Sequence, residues 1–281
     1  MSSSARVFDL PLTIEAHEPL GASHHLLTLF TSNPARWDPG QFAMISLGQE
    51  AQAADPLLRR PFSIFNLPGS PAGALQFFYK VLGRGTALLS RARPGESIRC
   101  LAPLGNGFAP RRAQGQRLLL VAGGIGSASL HPLGLQETAS GGRPVMLYGC
   151  RTEAELAGAR PTRDAGIEVR VATDDGSAGR RGFASDLLDD FLKEQGPSAR
   201  NAWVVCACGP TAMMRATAAV AARHGVDCYA SLESPMACGF GVCVGCVVGT
   251  TGISEPAEGR VVRYRRICVD GPVFDAARVI W

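Results

Sequence analysis

The sequence predicts a mixed β and α/β chain in three parts. These are a six-stranded antiparallel β-barrel over residues 1–110, a Rossmann-like parallel α/β domain over 111–231 and a small cysteine-rich segment over 232–281. Three observations predict this. The barrel region breaks into short β-forming runs separated by Pro, Gly, Asn and Asp turns. From Arg111 onward, apolar runs alternate with helical stretches, the pattern of a parallel sheet with helices on both faces. The final segment carries four cysteines and shows no clear periodicity until its end.

In the barrel, strands are predicted at Val7–Glu15, His25–Phe30, Gln41–Leu47, Pro61–Phe65, Leu75–Val81 and Ser97–Leu101, with a short helix over Thr86–Arg91. The turns between them are Ser32-Asn33-Pro34, Asp38-Pro39-Gly40, Pro68-Gly69-Ser70-Pro71 and Arg93-Pro94-Gly95. Short strands at this spacing close into a small barrel. Two runs on it carry chemistry. In Arg60-Pro61-Phe62-Ser63, the Arg can pair bidentately with a phosphate and the Ser hydroxyl can bond a ring nitrogen. Alone this run also reads as a solvated turn. In Lys80-Val81-Leu82-Gly83-Arg84-Gly85-Thr86 a glycine turn opens the short helix, so backbone donors face an anion. Two phosphate-binding elements on one barrel suggest a dinucleotide such as FAD.

In the α/β region, Leu118–Ala122 is a continuous apolar run, as in a strand buried on both faces. It ends in Gly123-Gly124-Ile125-Gly126 with a helix following. That is the setting of a pyrophosphate turn, although the spacing is not the full G-x-G-x-x-G. Further strands are expected at Val145–Tyr148, Ile167–Thr173, Trp203–Ala207 and Asp227–Ser231, and helices at Asp186–Gln195 and Thr211–Arg223. Thr173-Asp174-Asp175-Gly176-Ser177 and Cys208-Gly209-Pro210 lie at strand ends. Open parallel sheets bind ligands beyond the carboxyl ends of their strands. These loops and the glycine turn therefore make a candidate second nucleotide site. The two aspartates also read as turn or capping residues. An acidic pair disfavours a 2′-phosphate, which favours NAD over NADP without excluding NADP. Cys206 reads as a packing residue.

Cys238, Cys243 and Cys246 stand at the C-x4-C-x2-C spacing of plant-type [2Fe–2S] proteins, and Cys268 supplies a fourth thiolate. Glycines at 239, 241 and 245 suit a loop wrapped around an inorganic core. A four-thiolate zinc site is the rival, but only one pair has zinc-knuckle spacing. A disulfide framework is disfavoured by the length and by the odd count of nine cysteines. His24-His25 reads as a surface pair at a strand start. No Ser-His-Asp set or carboxylate pair stands out, so no catalytic residue is assigned.

The net charge of +4 comes from scattered arginines, without the Lys/Arg block of a nucleic-acid-binding protein. No apolar run approaches the roughly 18–20 residues of a membrane span. Met1–Leu10 lacks the pattern of a secretory signal. Cysteines without evident pairing fit a reducing compartment, and the expectation is a cytoplasmic protein.

Arg60-Pro61-Phe62-Ser63, Gly83-Arg84-Gly85-Thr86, Gly123-Gly124-Ile125-Gly126 and Cys208-Gly209-Pro210, in this order, resemble the ferredoxin–NADP reductase superfamily. The tail narrows the likeness. Glu233 through Cys243, followed by Cys268-Val269-Asp270-Gly271-Pro272-Val273-Phe274, resembles the electron-transfer subunits of NAD-dependent dihydroorotate dehydrogenases. The resemblance runs over nearly the whole chain. It implies FAD on the barrel, with Arg60 and Ser63 at the phosphate and flavin ring and Gly85 and Thr86 at the pyrophosphate. Pro61, Phe62, Lys80 and Gly83 belong to the same two motifs. It further implies Gly123, Gly124 and Gly126 lining the NAD site, Asp174 near its ribose, Cys208 and Gly209 near the nicotinamide, and iron on Cys238, Cys243, Cys246 and Cys268. The implied partner is a catalytic FMN dihydroorotate dehydrogenase subunit, in a heterotetramer serving pyrimidine biosynthesis. A nicotinamide exchanges two electrons at once and an iron–sulfur cluster one, so a flavin must stand between them. Rival readings are the small subunit of a sulfide dehydrogenase-like or ferredoxin:NAD(P) oxidoreductase, and a non-redox, zinc-stabilised nucleotide-binding regulatory subunit. Three features depart from the family pattern. Pro235 stands where Arg is usual, Ser127-Ala128-Ser129-Leu130 replaces an Ala-Pro-Leu-like turn, and Thr250 to Arg260 reads as an insert.

Overall fold

A computed structural model describes residues 7–32, 36–46, 56–252 and 262–281. The first sheet is built from β1 (Phe8–Gly21), β2 (His24–Phe30), β3 (Phe42–Ile45), β4 (Arg60–Ser63), β5 (Ala74–Lys80) and β6 (Ser97–Leu104), with helix α1 (Arg84–Leu89) before β6. Its order is β4-β3-β6-β1-β2-β5, antiparallel throughout. The two ends of this order curl together. Phe65 N, just past β4, donates to Gln76 O on β5 at 2.8 Å. The Phe62 ring meets Tyr79 edge-on at 5.7 Å. Alternate residues fill the interior, among them Ile14, Leu27, Leu29, Ala43, Ile45 and Phe77, as the two-residue period of a strand requires.

β1 runs six residues beyond the predicted end at Glu15, to Gly21. His17-Glu18-Pro19 has turn composition, yet it pairs with β2 after a register shift at Ile14/Ala16. Beyond Ile14 this strand is paired with β2 alone, an edge position that tolerates Pro19. His24 and His25 are not a surface pair. As neighbours on β2 they point to opposite faces, and each meets an aromatic ring of β5. His24 is 1% exposed and stacks on Phe78, while His25 stacks on Tyr79, both at 5.4 Å.

The second sheet contains β7 (Arg117–Gly123), β8 (Val145–Cys150), β9 (Glu168–Thr173), β10 (Arg180–Arg181), β11 (Trp203–Cys208), β12 (Cys228–Ser231) and, from the tail, a last strand at Val273–Asp275. Interspersed are α2 (Ser127–Ala139), α3 (Ala159–Asp164), α4 (Ala184–Gln195), α5 (Ala199–Ala202) and α6 (Thr211–Arg223). The order is β10-β9-β8-β7-β11-β12 and then the tail strand, which alone is antiparallel to its neighbour. Leu119 and Val121 of β7 pack into a core shared with α4 and α6; Leu118 and Leu120 pack into one shared with α2 and α3. Burial on both faces is why β7 reads as an unbroken apolar run. Helix α2 is buried without a break from Ser127 to Gly134, so it lacks the amphipathic stripe that marks most helices in sequence.

The tail forms a hairpin of β13 (Val247–Thr250) and β14 (Arg263–Arg266), helix α7 (Ile267–Asp270), and the sheet-completing strand β15 (Val273–Asp275). Of the insert at Thr250 to Arg260, residues 253–260 lie outside the described residues. On β3, Ala43 and Ile45 face into the barrel, whereas Phe42 and Met44 face outward. The outward pair, with Leu104, shares one core with Met236, Cys246 and Cys268. Among the described residues, no helix is long and apolar enough to cross a membrane.

Candidate functional site

One cavity of about 830 Å³ opens between the barrel and the carboxyl edge of the parallel sheet. Arg60, Pro61, Phe62, Ser63, Lys80, Gly83, Gly85 and Thr86 line it from the barrel, and Cys208 and Gly209 line it from the end of β11. Distant sequence motifs therefore meet at one place, as the topology of an open α/β sheet against a barrel requires. The volume falls within the range of cofactor sites, and the open space around Gly83 leaves backbone accessible.

The individual side chains are already engaged. Arg60 folds back, its Nη1 donating to Leu58 O at 2.8 Å and Arg59 O at 3.3 Å. The Thr86 hydroxyl accepts from Leu82 N at 2.9 Å and Gly83 N at 3.2 Å. It closes the turn at the start of α1, which is why that turn needs Thr. Lys80 Nζ donates to Glu155 Oε1 at 2.9 Å, and Arg151 Nε reaches the same oxygen at 3.1 Å. The hydrogen bond from Arg151, reinforced by Lys80, holds the Glu155 carboxyl down at about 2.

Gly123, Gly124, Gly126 and Asp174 are not part of the cavity lining. Gly126 and Gly209 are demanded by packing. A Cβ at Gly126 would stand 2.2 Å from Cys208 O, and one at Gly209 (φ +155°) would stand 2.9 Å from Gly123 Cα. The glycine turn thus brings β7 and the β11 end into backbone contact. Gly124 differs, with φ +52° and open space around it. Asp174 lies beyond β9, two strands from β7 in the sheet order, where its N–H donates to Cys150 O at 3.0 Å. Asp175 accepts from Ser177 N at 2.9 Å and Ser177 Oγ at 2.7 Å, the turn role that such a residue commonly plays.

Sequence reasoning missed Glu233 as a cavity residue. It follows the end of β12 and lines the cavity beside Cys208, with Cys208 Sγ 4.0 Å from its Oε1. Glu233 is exposed, on the cavity side, and desolvation by the protein around its carboxylate raises its pKa. Burial raises the Cys208 thiol as well. The usable signal was position: Glu233 stands just past the carboxyl end of a parallel strand.

The four tail cysteines are gathered as two pairs. Cys238 Sγ is 3.4 Å from Cys243 Sγ, and the Cys268 thiol neighbours that of Cys246. Burial opposes ionisation of Cys238, but the backbone N–H groups of Cys243, Phe240 and Val242 and the Cys243 thiol bring its pKa to about 6. Burial first, and then the neighbouring Cys246 and Cys238, push Cys268 up to about 12. Among the described residues, no three His, Cys, Asp or Glu side chains converge on a single ion position. A two-by-two set of thiols around a loop rich in inward-turned backbone fits a two-iron core, in which each metal takes two thiolates. Gly239 (φ +81°), Gly241 (φ +88°) and Val244 (φ +55°) give the loop its curvature.

Comparison with known proteins agrees with this geometry. Residues 233–280 match the family described as the iron-sulfur cluster binding domain of dihydroorotate dehydrogenase B. The chain is 40% identical over 243 residues to the "Dihydroorotate dehydrogenase B (NAD(+)), electron transfer subunit" of Bacillus caldolyticus, which covers 86% of each chain. With the protein of the same name from Geobacillus sp. (strain WCH70) it shares 36% identity over 271 residues, 96% of this chain and 97% of the relative. Among solved structures, the NADH-dependent reduced ferredoxin-NADP oxidoreductase superposes with a TM-score of 0.79 at 27% identity, covering 97% of this chain and 90% of that one. The ferredoxin reductase of carbazole 1,9a-dioxygenase gives 0.65 at 25% identity, with coverages of 79% and 68%. A ferredoxin reductase-like barrel and sheet, a tail matched as an iron–sulfur domain and close relatives along most of the length lead to one conclusion: this chain belongs to the family of electron transfer subunits of dihydroorotate dehydrogenase B.

Proposed function

We propose that the chain relays electrons between NAD(H) and a catalytic partner subunit, with FAD in the barrel cavity and a [2Fe–2S] cluster on Cys238, Cys243, Cys246 and Cys268. The observation that carries this reading is a shared wall. Phe42 and Met236 line the cavity, and both belong to the core that encloses Cys246 and Cys268. Bound there, the flavin would supply the exchange between two-electron hydride chemistry and one-electron transfer that the cluster needs.

The chain's own residues bind and orient. Arg60 and the backbone around Gly83, Gly85 and Thr86 receive the FAD phosphates, and Pro61, Phe62 and Ser63 meet the flavin ring. Cys208, Gly209 and Glu233 bound the side from which a nicotinamide approaches. Gly123, Gly124 and Gly126 carry the NAD phosphates along the sheet edge. Asp174 lies at the ribose end, where its charge opposes a 2′-phosphate and favours NAD over NADP. Lys80, tied to Glu155, fixes the nucleotide domain against the barrel beside the cavity. The division of labour follows residues 1–110 for FAD, 111–231 for NAD and 232–281 for the cluster.

The partner is an FMN dihydroorotate dehydrogenase subunit in a heterotetramer, with electrons passing from dihydroorotate towards NAD+. Free buried thiols at Cys100, Cys150, Cys206, Cys208 and Cys228 fit a cytoplasmic location. A second reading, the small subunit of a ferredoxin:NAD(P) oxidoreductase, is favoured by the likeness to such an enzyme over 97% of this chain. Affinity capture from native cells, followed by assay of the complex with dihydroorotate and NAD+, separates the two. Capture of a ferredoxin-dependent partner without dihydroorotate turnover would overturn the first reading. Colourless protein containing zinc in place of iron would overturn both.

A further inference from the structure

The cysteine loop packs most closely on one barrel side chain, Met44. Met44 is fully buried on the outward face of β3, with Phe42 of the cavity wall two residues before it. Across the sheet it pairs with Pro61, another cavity residue. On its other side stands the backbone of Gly239, next to the ligand candidate Cys238. A Cβ at Gly239 would come 2.3 Å from Met44 Cγ, 2.9 Å from Met44 Sδ and 3.3 Å from Leu104 Cδ1. The same glycine has φ +81°, so both its backbone and its lack of space exclude a side chain. Met236, 9% exposed, lines the cavity two residues before Cys238 and belongs to the same core. Phe42, Met44, Leu104 and Met236 thus form one apolar core with Cys246 and Cys268, and Met44 fills the place where barrel and loop touch.

We propose that Met44 is a positioning residue for electron transfer: it seats the Cys238–Gly239 backbone against the flavin-side wall and keeps water out of the gap between them. The inference rests on the relay reading above. Its physical content is twofold. A long unbranched thioether can fill an irregular seam that a smaller side chain leaves open. Solvent exposure is also among the factors that set an iron–sulfur potential. Water admitted behind the loop favours the more highly charged reduced state, so opening the seam raises the potential.

The test uses the full-length protein, purified anaerobically, in wild-type, Met44→Ala, Met44→Val and Met44→Leu forms. Iron and flavin content, the electron paramagnetic resonance spectrum after chemical reduction, the midpoint potential and the rate of cluster-to-flavin transfer are read for each. Met44→Ala is expected to retain iron and flavin while its potential rises and transfer slows several-fold. Met44→Val should fall between, which keeps the test open should the alanine variant not fold. Met44→Leu, closest in volume, should restore wild-type values. Wild-type potential, spectrum and rate in the alanine or valine variant would overturn the seat alone. Wild-type protein that holds neither iron nor flavin would overturn the relay reading, and the seat with it.

Discussion

Lys80 of the barrel and Glu155 of the α/β domain meet at 2.9 Å across the boundary between the two sheets, and both side chains are mostly buried (15% and 17% exposed). Arg151 shares the same carboxylate oxygen, so one acidic side chain holds two cations from different parts of the fold. The arrangement ties the α/β domain to the barrel at a residue of the cavity lining, Lys80. Removal of the carboxylate leaves Lys80 enclosed without its counter-charge, the costly way to break a partly buried pair.

Glu155→Gln should therefore lower the melting temperature by roughly 2–5 °C, corresponding to ~1–2 kcal/mol. The pH dependence follows from the depressed carboxyl. Its contribution is fully present above the ordinary Glu value of 4.5 and is lost as pH falls through about 2. Wild type and variant should differ by a constant amount above pH 5 and converge in strong acid. Denaturation curves across that range check it; a gap that persists at pH 2 would argue against this pair as the cause.

Cys243→Ser should abolish the reduced-state paramagnetic signal and lower iron content, while FAD stays bound and NADH still reduces a dye. The reason is spatial. Cys243 belongs to the tail loop and is absent from the cavity lining. Loss of flavin together with iron would show that the two sites are not separable in this way.

Gly126→Ala and Gly124→Ala should differ in kind. At Gly126 the new methyl would meet the Cys208 carbonyl at 2.2 Å, and a backbone oxygen cannot give way cheaply. The expected cost is ~2–4 kcal/mol, with poorly folded protein. Gly124 has space but a positive φ of +52°, so alanine there should cost about 1 kcal/mol and leave a folded chain. Denaturant midpoints of the two variants decide the matter, and equal stabilities would contradict the close backbone approach.

Asp174→Ala should raise the ratio of NADPH to NADH use by roughly ten-fold, equivalent to ~1.4 kcal/mol of relieved repulsion against a 2′-phosphate. Asp175→Ala should act differently, because its carboxylate is held by Ser177 within the turn. Steady-state kcat/KM with both nucleotides gives the comparison. An unchanged ratio in the Asp174 variant would remove this residue from the ribose end.

The local chemistry was legible in the sequence because it is carried by short runs. Cysteine spacing named the iron–sulfur segment, Arg60–Ser63 and Gly83–Thr86 marked the barrel motifs, and the apolar run of β7 announced a strand covered on both faces. Periodicity placed α4 and α6, which have one wet side each. It could not mark α2, whose first eight residues are all buried and which only the glycine turn before it predicts, nor the continuation of β1 through Pro19, which depends on β2 lying alongside. Only the tertiary structure decided what each motif touches. It committed Lys80 to Glu155, turned Thr86 inward to close its own turn, placed Glu233 beside Cys208 and set Gly239 on Met44. The physical reason is that spacing fixes which atoms can act together within a turn or strand. Contacts between residues as far apart as 44 and 239 arise from packing two sheets and a tail into one core, and no local pattern encodes them.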